Sequence, residues 1–517
     1  MLKTGTDYSV PSGKLLTLVP AWAWTELPVP FFSKMRHNSS VSHSLTRRNI
    51  LAAPLALALT ARTSRAQGAP PNIVYVMADD LGYADLSCYG RRDYTTPNID
   101  RLATDGMKFM QAYANSAVCS ATRTALITGR YQYRLPVGLA EPLGAGPNAP
   151  GLPPEHPTLP SLLKQAGYST TLIGKWHLGS LPNFSPLKSG YDHFWGFRGG
   201  GVDYFTHKPG VGPNSVIDLW DDDAPVEQVG YLTTLLGDRA VKTVTDYAAA
   251  RRPFLLSLHF NAPHWPWEGP NDQAESQRIR ALADYDGGSL KTFASMVVAM
   301  DTQVGRVLET IASAGIANNT IVIFTSDNGG ERFADTWPFT GKKTELLEGG
   351  LRIPALVRWP GHIQAGSTTQ QVAISMDWLP TLLAAAGTKP DPAYPSDGMS
   401  LLPALTQNAA PVSRKLYWRY NEKSQHATRD GDMKYLKIRE NTFLFNVVED
   451  PLERANLRDR QPEVYRRLVQ DYENWNATML PEQPRPNGGF TADQLADHFG
   501  NERPAGPPPG APKPAKQ

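Results

Sequence analysis

Cysteine is nearly absent from this chain, with two among 517 residues. That excludes a fold framed by disulfides. Cys88 and Cys119 can form one bridge at most, and such a bridge would block any chemistry at Cys119. An excess of one charge is missing too, since 51 Lys and Arg stand against 49 Asp and Glu. With no basic stripe and no aromatic–basic interleaving, a nucleic-acid partner is excluded. Long apolar runs are also lacking. Residues 51–61 are too few to cross a bilayer and are interrupted by Pro54, so no stable membrane span is expected. Internal repeats are absent. What is present is an ordinary globular composition, 41% apolar and 19% charged, in a chain long enough for a large core and more than one domain.

The stretch Ser44-Leu45-Thr46-Arg47-Arg48-Asn49-Ile50-Leu51 precedes that short apolar run, and a small-residue cleavage site fits near Ala66. Paired arginines before a short apolar segment predict a bacterial twin-arginine export signal over 35–66, so the partner is the twin-arginine export machinery and the destination is periplasmic or secreted. Met35 gives a signal of normal proportions, and residues 1–34 are expected to be a start-site artefact.

From Asn72 onward the pattern is α/β. Residues 73–77, 170–173, 254–258 and 320–324 are short apolar runs of the kind found in strands buried on both faces. Helical patterns lie between them: one beginning at 97, and others over 158–166, 231–250 and 293–314, two of them stopping at Gly167 and Gly315. This alternation predicts a large, mostly parallel sheet sandwiched by helices over 70–410. After about residue 410 the texture changes. Short strands at 417–419, 433–438 and 442–445 and a helix over 463–475 predict a small antiparallel α+β domain over 411–480. Pro and Gly accumulate over 481–517, which is expected to be a disordered tail.

Two buried strands run into acidic or amide pairs, Asp79-Asp80 and Asp327-Asn328. Ligands of open parallel sheets bind outside the carboxyl ends of strands. These side chains offer hard oxygens, which suit calcium or magnesium and not zinc. Either pair alone reads more readily as a turn, because Asp, Asn and Gly favour turns; two on similar strands are harder to dismiss. Cys119 precedes a helix-like stretch, where the helix dipole and Arg123 favour negative charge. A lone free cysteine is more often a small buried hydrophobe, and His177, His264 and Lys175 are equally ambiguous one by one.

The motifs taken together resemble the type I formylglycine-dependent sulfatases, the arylsulfatase family of the alkaline-phosphatase-like superfamily. Cys119-Ser120-Ala121-Thr122-Arg123 with Thr128-Gly129-Arg130 resembles the first family signature, and Gly167 through Lys175-Trp176-His177-Leu178-Gly179 resembles the second. Asn72 to Tyr89, Asn261-Ala262-Pro263-His264, Gly341-Lys342-Lys343 before Glu348-Gly349-Gly350, and Leu444-Phe445-Asn446 with Asp450-Pro451 follow in family order across 70–480. The resemblance implies that Cys119 is oxidised to Cα-formylglycine by a maturation enzyme. Asp79, Asp80, Asp327 and Asn328, with the modified Cys119, would bind one calcium ion. Arg123 would hold the hydrated aldehyde. Lys175 and His264 would grip the sulfate and help the leaving group, and His177 would act as a base. Lys343, favoured over Lys342 by its spacing to Glu348, would complete the clamp. The implied substrate is an aryl or carbohydrate sulfate.

Ala121 stands where many members carry Pro, which bears on how Cys119 is converted. Gly199-Gly200-Gly201 replaces a polar substrate contact of some members and leaves Asp203 and His207 as possible specificity residues. Two other readings stay open: a phosphonate or phosphodiester hydrolase of the same superfamily, and an exported binding protein with an unconverted Cys119.

Overall fold

The structure is a computed structural model that describes residues 69–144, 149–210, 215–278 and 287–483. The expected export signal, the segment before it and the tail beyond 483 lie outside the described residues. Among the described residues, no helix is long and apolar enough to cross a membrane.

The centre of the molecule is the strand Asn72–Ala78, every residue of which is buried. It pairs in parallel with Phe254–His259 on one side and Thr320–Ser326 on the other. Ser169–Lys175 and His193–Phe197 extend the parallel block outward from Phe254–His259. Both edges are mixed. Ala355–Arg358 runs antiparallel to Thr320–Ser326 and to Met107–Phe109, which pairs in parallel with the edge strand Ser367–Thr369; the far edge closes with the short hairpin Trp220–Asp221 and Ala224–Pro225, completing ten strands. The expected sheet is therefore parallel through its five central strands, with antiparallel pairings on either side of them.

Side chains alternate across a strand, and here each face meets its own core. Val74, Val76 and Ala78 pack with the helices Leu232–Ala250 and Leu290–Ser313. Ile73, Tyr75 and Met77 pack on the opposite face, with Leu126, Leu163 and Leu379 from three shorter helices. The Leu290–Ser313 helix starts three residues before the apolar pattern does, because Ser289 Oγ accepts the Thr292 N–H at 3.0 Å and caps it.

Beyond residue 410, Lys415–Tyr420, Gln425–Asp430, Met433–Ile438 and Asn441–Asn446 form an antiparallel meander, packed against the helix Pro462–Asn476. This second sheet shares a core with the elements around Cys119: Leu416 and Trp418 cluster with Tyr113, Val118 and Ala121. It thereby braces the helix that begins at Cys119.

A buried ion cluster pins the same junction. Lys434 Nζ donates to Glu348 Oε1 and Glu453 Oε1, each at 2.9 Å, while Arg352 Nε and Tyr113 Oη each reach Glu348 Oε2 at 2.6 Å. Burial pushes the Glu348 carboxyl up, but Lys434, Arg352 and Arg429 prevail and hold it at about 2. The Glu348-Gly349-Gly350 stretch is thus a structural clamp beneath the site.

Candidate active site

The parallel register makes the site. Ala78 is level with Ser326 and Met77 with His259, so Asp79 and Asp327 leave the sheet side by side at its carboxyl edge. Backbone bonds lock this edge: Asp79 N–H donates to Ala262 O at 3.1 Å and Asp327 N–H to Ala78 O at 3.2 Å. Asp80 adopts a left-handed backbone, φ 67°, as does His177, φ 56°. Such conformations cost about 1–3 kcal/mol each and persist where the surroundings hold them.

The helix Cys119–Thr128 is buried along its whole length and ends on Gly129 in the left-handed conformation. Its N-terminus, the positive end of the helix dipole, is Cys119 itself. Cys119 and Arg123 are one turn apart and share a face. The Arg123 guanidinium donates through Nη2 to Asp327 Oδ2 at 2.8 Å, through Nε to the same oxygen at 3.1 Å, and through Nη1 to Lys175 O at 3.2 Å. Lys175 Nζ donates to Asp79 Oδ2 at 2.6 Å, and Lys343 Nζ to Asp80 Oδ2 at 2.6 Å. Asn328 Nδ2 donates to Asp80 Oδ1 at 2.8 Å. All six catalytic residues and all metal ligands read from the sequence meet in this one buried cluster.

Three carboxylates, Asp79, Asp80 and Asp327, thus face three cations, Arg123, Lys175 and Lys343. Burial, then the Asp327 charge, pushes the Asp79 carboxyl well above its usual range. Asp80 is held below its range despite burial, first of all by Lys343. Burial acts to lower Lys343, yet Asp80 and Glu331 keep it well above the ordinary lysine value. Burial raises the Cys119 thiol.

The two histidines have defined tautomers. His177 Nε2 lies 2.9 Å from Leu143 O, a pure acceptor, so the proton sits there and the Nδ1 lone pair faces Cys119 Sγ at 3.3 Å. His264 Nδ1 donates to Trp265 O at 2.6 Å, which turns the Nε2 lone pair toward Asp80 Oδ2 at 3.6 Å. Burial, followed by Lys175 for His177 and Lys343 for His264, holds both rings well below the ordinary histidine value.

Sequence reasoning passed over His259, which ends its strand beside the site and brings Nδ1 to within 3.4 Å of Arg123 Nη1. Its position at the carboxyl end of a buried strand was the available signal. It also passed over Glu331, whose Oε2 is 3.5 Å from Lys343 Nζ. Asp203 Oδ1 accepts the N–H groups of Phe205 and Thr206, both Asp203 oxygens lie within 2.9 Å of Ser276 Oγ, and His207 Nε2 lies 3.1 Å from Gly230 O.

The glycine run lies against both histidines. A Cβ on Gly200 would sit 2.8 Å from His177 Cε1, and one on Gly201 3.1 Å from His264 Cε1. Gly200→Ala should therefore push the His177 ring off the residue at 119. We expect a kcat loss of about 10²-fold, the scale of a misplacement near 1 Å, with KM little changed, as steady-state kinetics would measure.

Fold and site together define a hydrolase of the alkaline-phosphatase-like superfamily. Residues 71–388 match the sulfatase family, and 339–475 match the C-terminal region of N-sulphoglucosamine sulphohydrolase. N-acetylgalactosamine-6-sulfatase of Rattus norvegicus is 34% identical over 374 residues, covering 68% of this chain and 69% of that protein. Human arylsulfatase A (Homo sapiens) is 33% identical over 398 residues, covering 71% and 74%. The crystal structure of Ps i-CgsB superposes with a TM-score of 0.71 at 32% identity, covering 78% of this chain and 92% of that one. The chain belongs to the sulfatase family and is a sulfuric ester hydrolase.

Proposed function

We propose that this enzyme hydrolyses aryl or carbohydrate sulfates with a formylglycine made from Cys119 and one calcium ion. The observation that carries the reading is the approach of the Cys119 sulfur and one carboxylate oxygen each of Asp79 and Asp327 to within 4.8 Å of one another. Beside them, Asp79 Oδ1 and Asn328 Oδ1 are buried and accept no hydrogen bond. A buried oxygen without a donor is costly, and a cation relieves it.

The donor set fits a hard cation. Asp79, Asp80, Asp327 and Asn328, with the residue at 119, would hold it through oxygen. When bound, calcium would supply positive charge against the sulfate oxygens. A hydrated aldehyde at position 119 would supply two hydroxyls on one carbon, one as the nucleophile toward sulfur and the other to release the sulfate.

The chain's own residues provide the rest. Arg123, fixed by Asp327 and the Lys175 carbonyl, orients the group at position 119. The His177 Nδ1 lone pair is placed to take its proton. Lys175 and Lys343 offer their ammonium groups to the sulfate, sharing them with Asp79 and Asp80. His264 presents a lone pair, so it must bind a proton before giving one to the departing alcohol oxygen. Conversion of Cys119 requires a formylglycine-generating maturation enzyme. Conversion is expected before twin-arginine export, since that machinery carries folded chains, and it leaves the enzyme periplasmic or secreted.

Turnover of 4-nitrophenyl sulfate against an aryl phosphodiester tests this reading. A clear preference for the sulfate is expected; a strong preference for the phosphodiester would make the enzyme a phosphonate or phosphodiester hydrolase of the same superfamily.

A further inference from the structure

A groove of about 890 Å³ opens where two loops meet. One loop leaves the strand Asn72–Ala78 and brings Arg91, Arg92 and Asp93; the other leaves Thr320–Ser326 and brings Arg332, Asp335 and Trp337. These are the two strands whose ends carry the metal pairs, so the groove lies at the sheet edge that holds the active site. The loops are stitched together: Ala84 N–H donates to Asp335 O at 2.8 Å, and both Asp335 N–H, at 2.8 Å, and Arg91 Nη1, at 2.7 Å, reach Asp85 Oδ1. The second loop also carries Glu331, 3.5 Å from Lys343.

The groove has two unusual features. Trp337 is 66% exposed, far from the usual burial of tryptophan. Three guanidinium groups line it against two carboxylates; Arg91 is engaged by Asp93, in a two-pronged pair, and by Asp85, while Asp335 Oδ1 accepts the Trp337 N–H at 2.9 Å, so the groove's exposed positive charge comes from Arg92. Arg92 is exposed and makes no hydrogen bond or ion pair with any described residue. Arg332 lies over the Phe333 ring at 5.5 Å.

An exposed indole offers a flat apolar surface to the face of a sugar ring, and arginine is suited to bidentate capture of sulfate or carboxylate. The volume falls within the range of small-molecule sites and exceeds the need of a lone aryl group. We infer that this groove binds an acidic sugar unit flanking the sulfate ester that is cleaved, so that the substrate is an anionic oligosaccharide rather than a simple aryl sulfate. This rests on the carbohydrate-sulfate reading above.

The test is titration calorimetry on the full, calcium-loaded chain carrying Cys119→Ala, so that turnover adds no heat. The probes are a sulfated galactan hexasaccharide, a hyaluronan hexasaccharide, which has carboxylates without sulfates, and a neutral galactan hexasaccharide. At least one anionic probe should bind at least tenfold more tightly than the neutral one, and which of them binds identifies the acidic group. Adding Arg92→Ala or Trp337→Ala should weaken that binding by roughly tenfold, the scale of one charge-assisted contact. Thermal melting checks that both exposed substitutions leave the fold intact, and Arg92→Ala suffices if Trp337→Ala does not fold. Anionic probes that fail to bind, or that bind both variants like the parent, overturn the inference. Failure of the wild type to cleave aryl sulfates would sink the catalytic reading without touching this binding result.

Discussion

Cys119→Ala is expected to lower kcat/KM for 4-nitrophenyl sulfate by about 10⁵-fold, the order of loss when an enzyme is deprived of its nucleophile. The size of the effect follows from what surrounds the residue. Arg123, Lys175, Lys343 and both histidines are fixed by bonds that do not involve the Cys119 side chain, apart from the 3.3 Å approach of His177. Removing the sulfur therefore leaves the charge cluster standing and takes away only the bond-forming group. Stability should change by about 1 kcal/mol, a typical cost for a single substitution, and urea denaturation measures it. A binding protein with an unconverted thiol would instead show no turnover before or after the substitution.

Metal removal is the second large effect. Chelation should cut kcat/KM by about 10³-fold or more, since the ion supplies several kcal/mol of charge stabilisation. It should also lower the melting temperature, because a ligand bound only by the native state stabilises it, by about 2.7 kcal/mol at a hundredfold excess over its Kd. Asp79, Asp80 and Asp327 are buried together, and like charges so placed oppose one another. Arg123, Lys175 and Lys343 balance them, and a cation at the Asp79 and Asn328 oxygens would free the two lysines for the anionic substrate. Calcium should restore both activity and melting temperature, and zinc, which favours nitrogen and sulfur ligands, should not. Activity unchanged after exhaustive chelation would refute the metal's role.

Much of this site was legible in the sequence because strand ends carry it. Asp79-Asp80 and Asp327-Asn328 follow apolar runs whose parallel pairing brings them side by side. Cys119 and Arg123 are joined by helical spacing. The rest depends on contacts between distant segments. The strand Gln425–Asp430 escapes notice because its sequence is polar; its buried Arg429 is satisfied by Tyr113 and Gln111, far away in the chain. Ala355–Arg358 is short and lies between Pro354 and Pro360, which reads as a loop. His193–Phe197 is interrupted by Gly196 at φ 155°. His259 and Glu331 gain their places only when Arg123 and Lys343 arrive from elsewhere. The bonds of Asp203 with Ser276 and of His207 with Gly230 are likewise made between distant segments.

The most direct test is mass spectrometry of the peptide containing residues 116–123 from active, purified enzyme. An aldehyde in place of the Cys119 thiol is the expected result, in a proportion that tracks specific activity across preparations. Fully active enzyme carrying only the intact thiol would contradict the assignment of Cys119 as the nucleophile precursor.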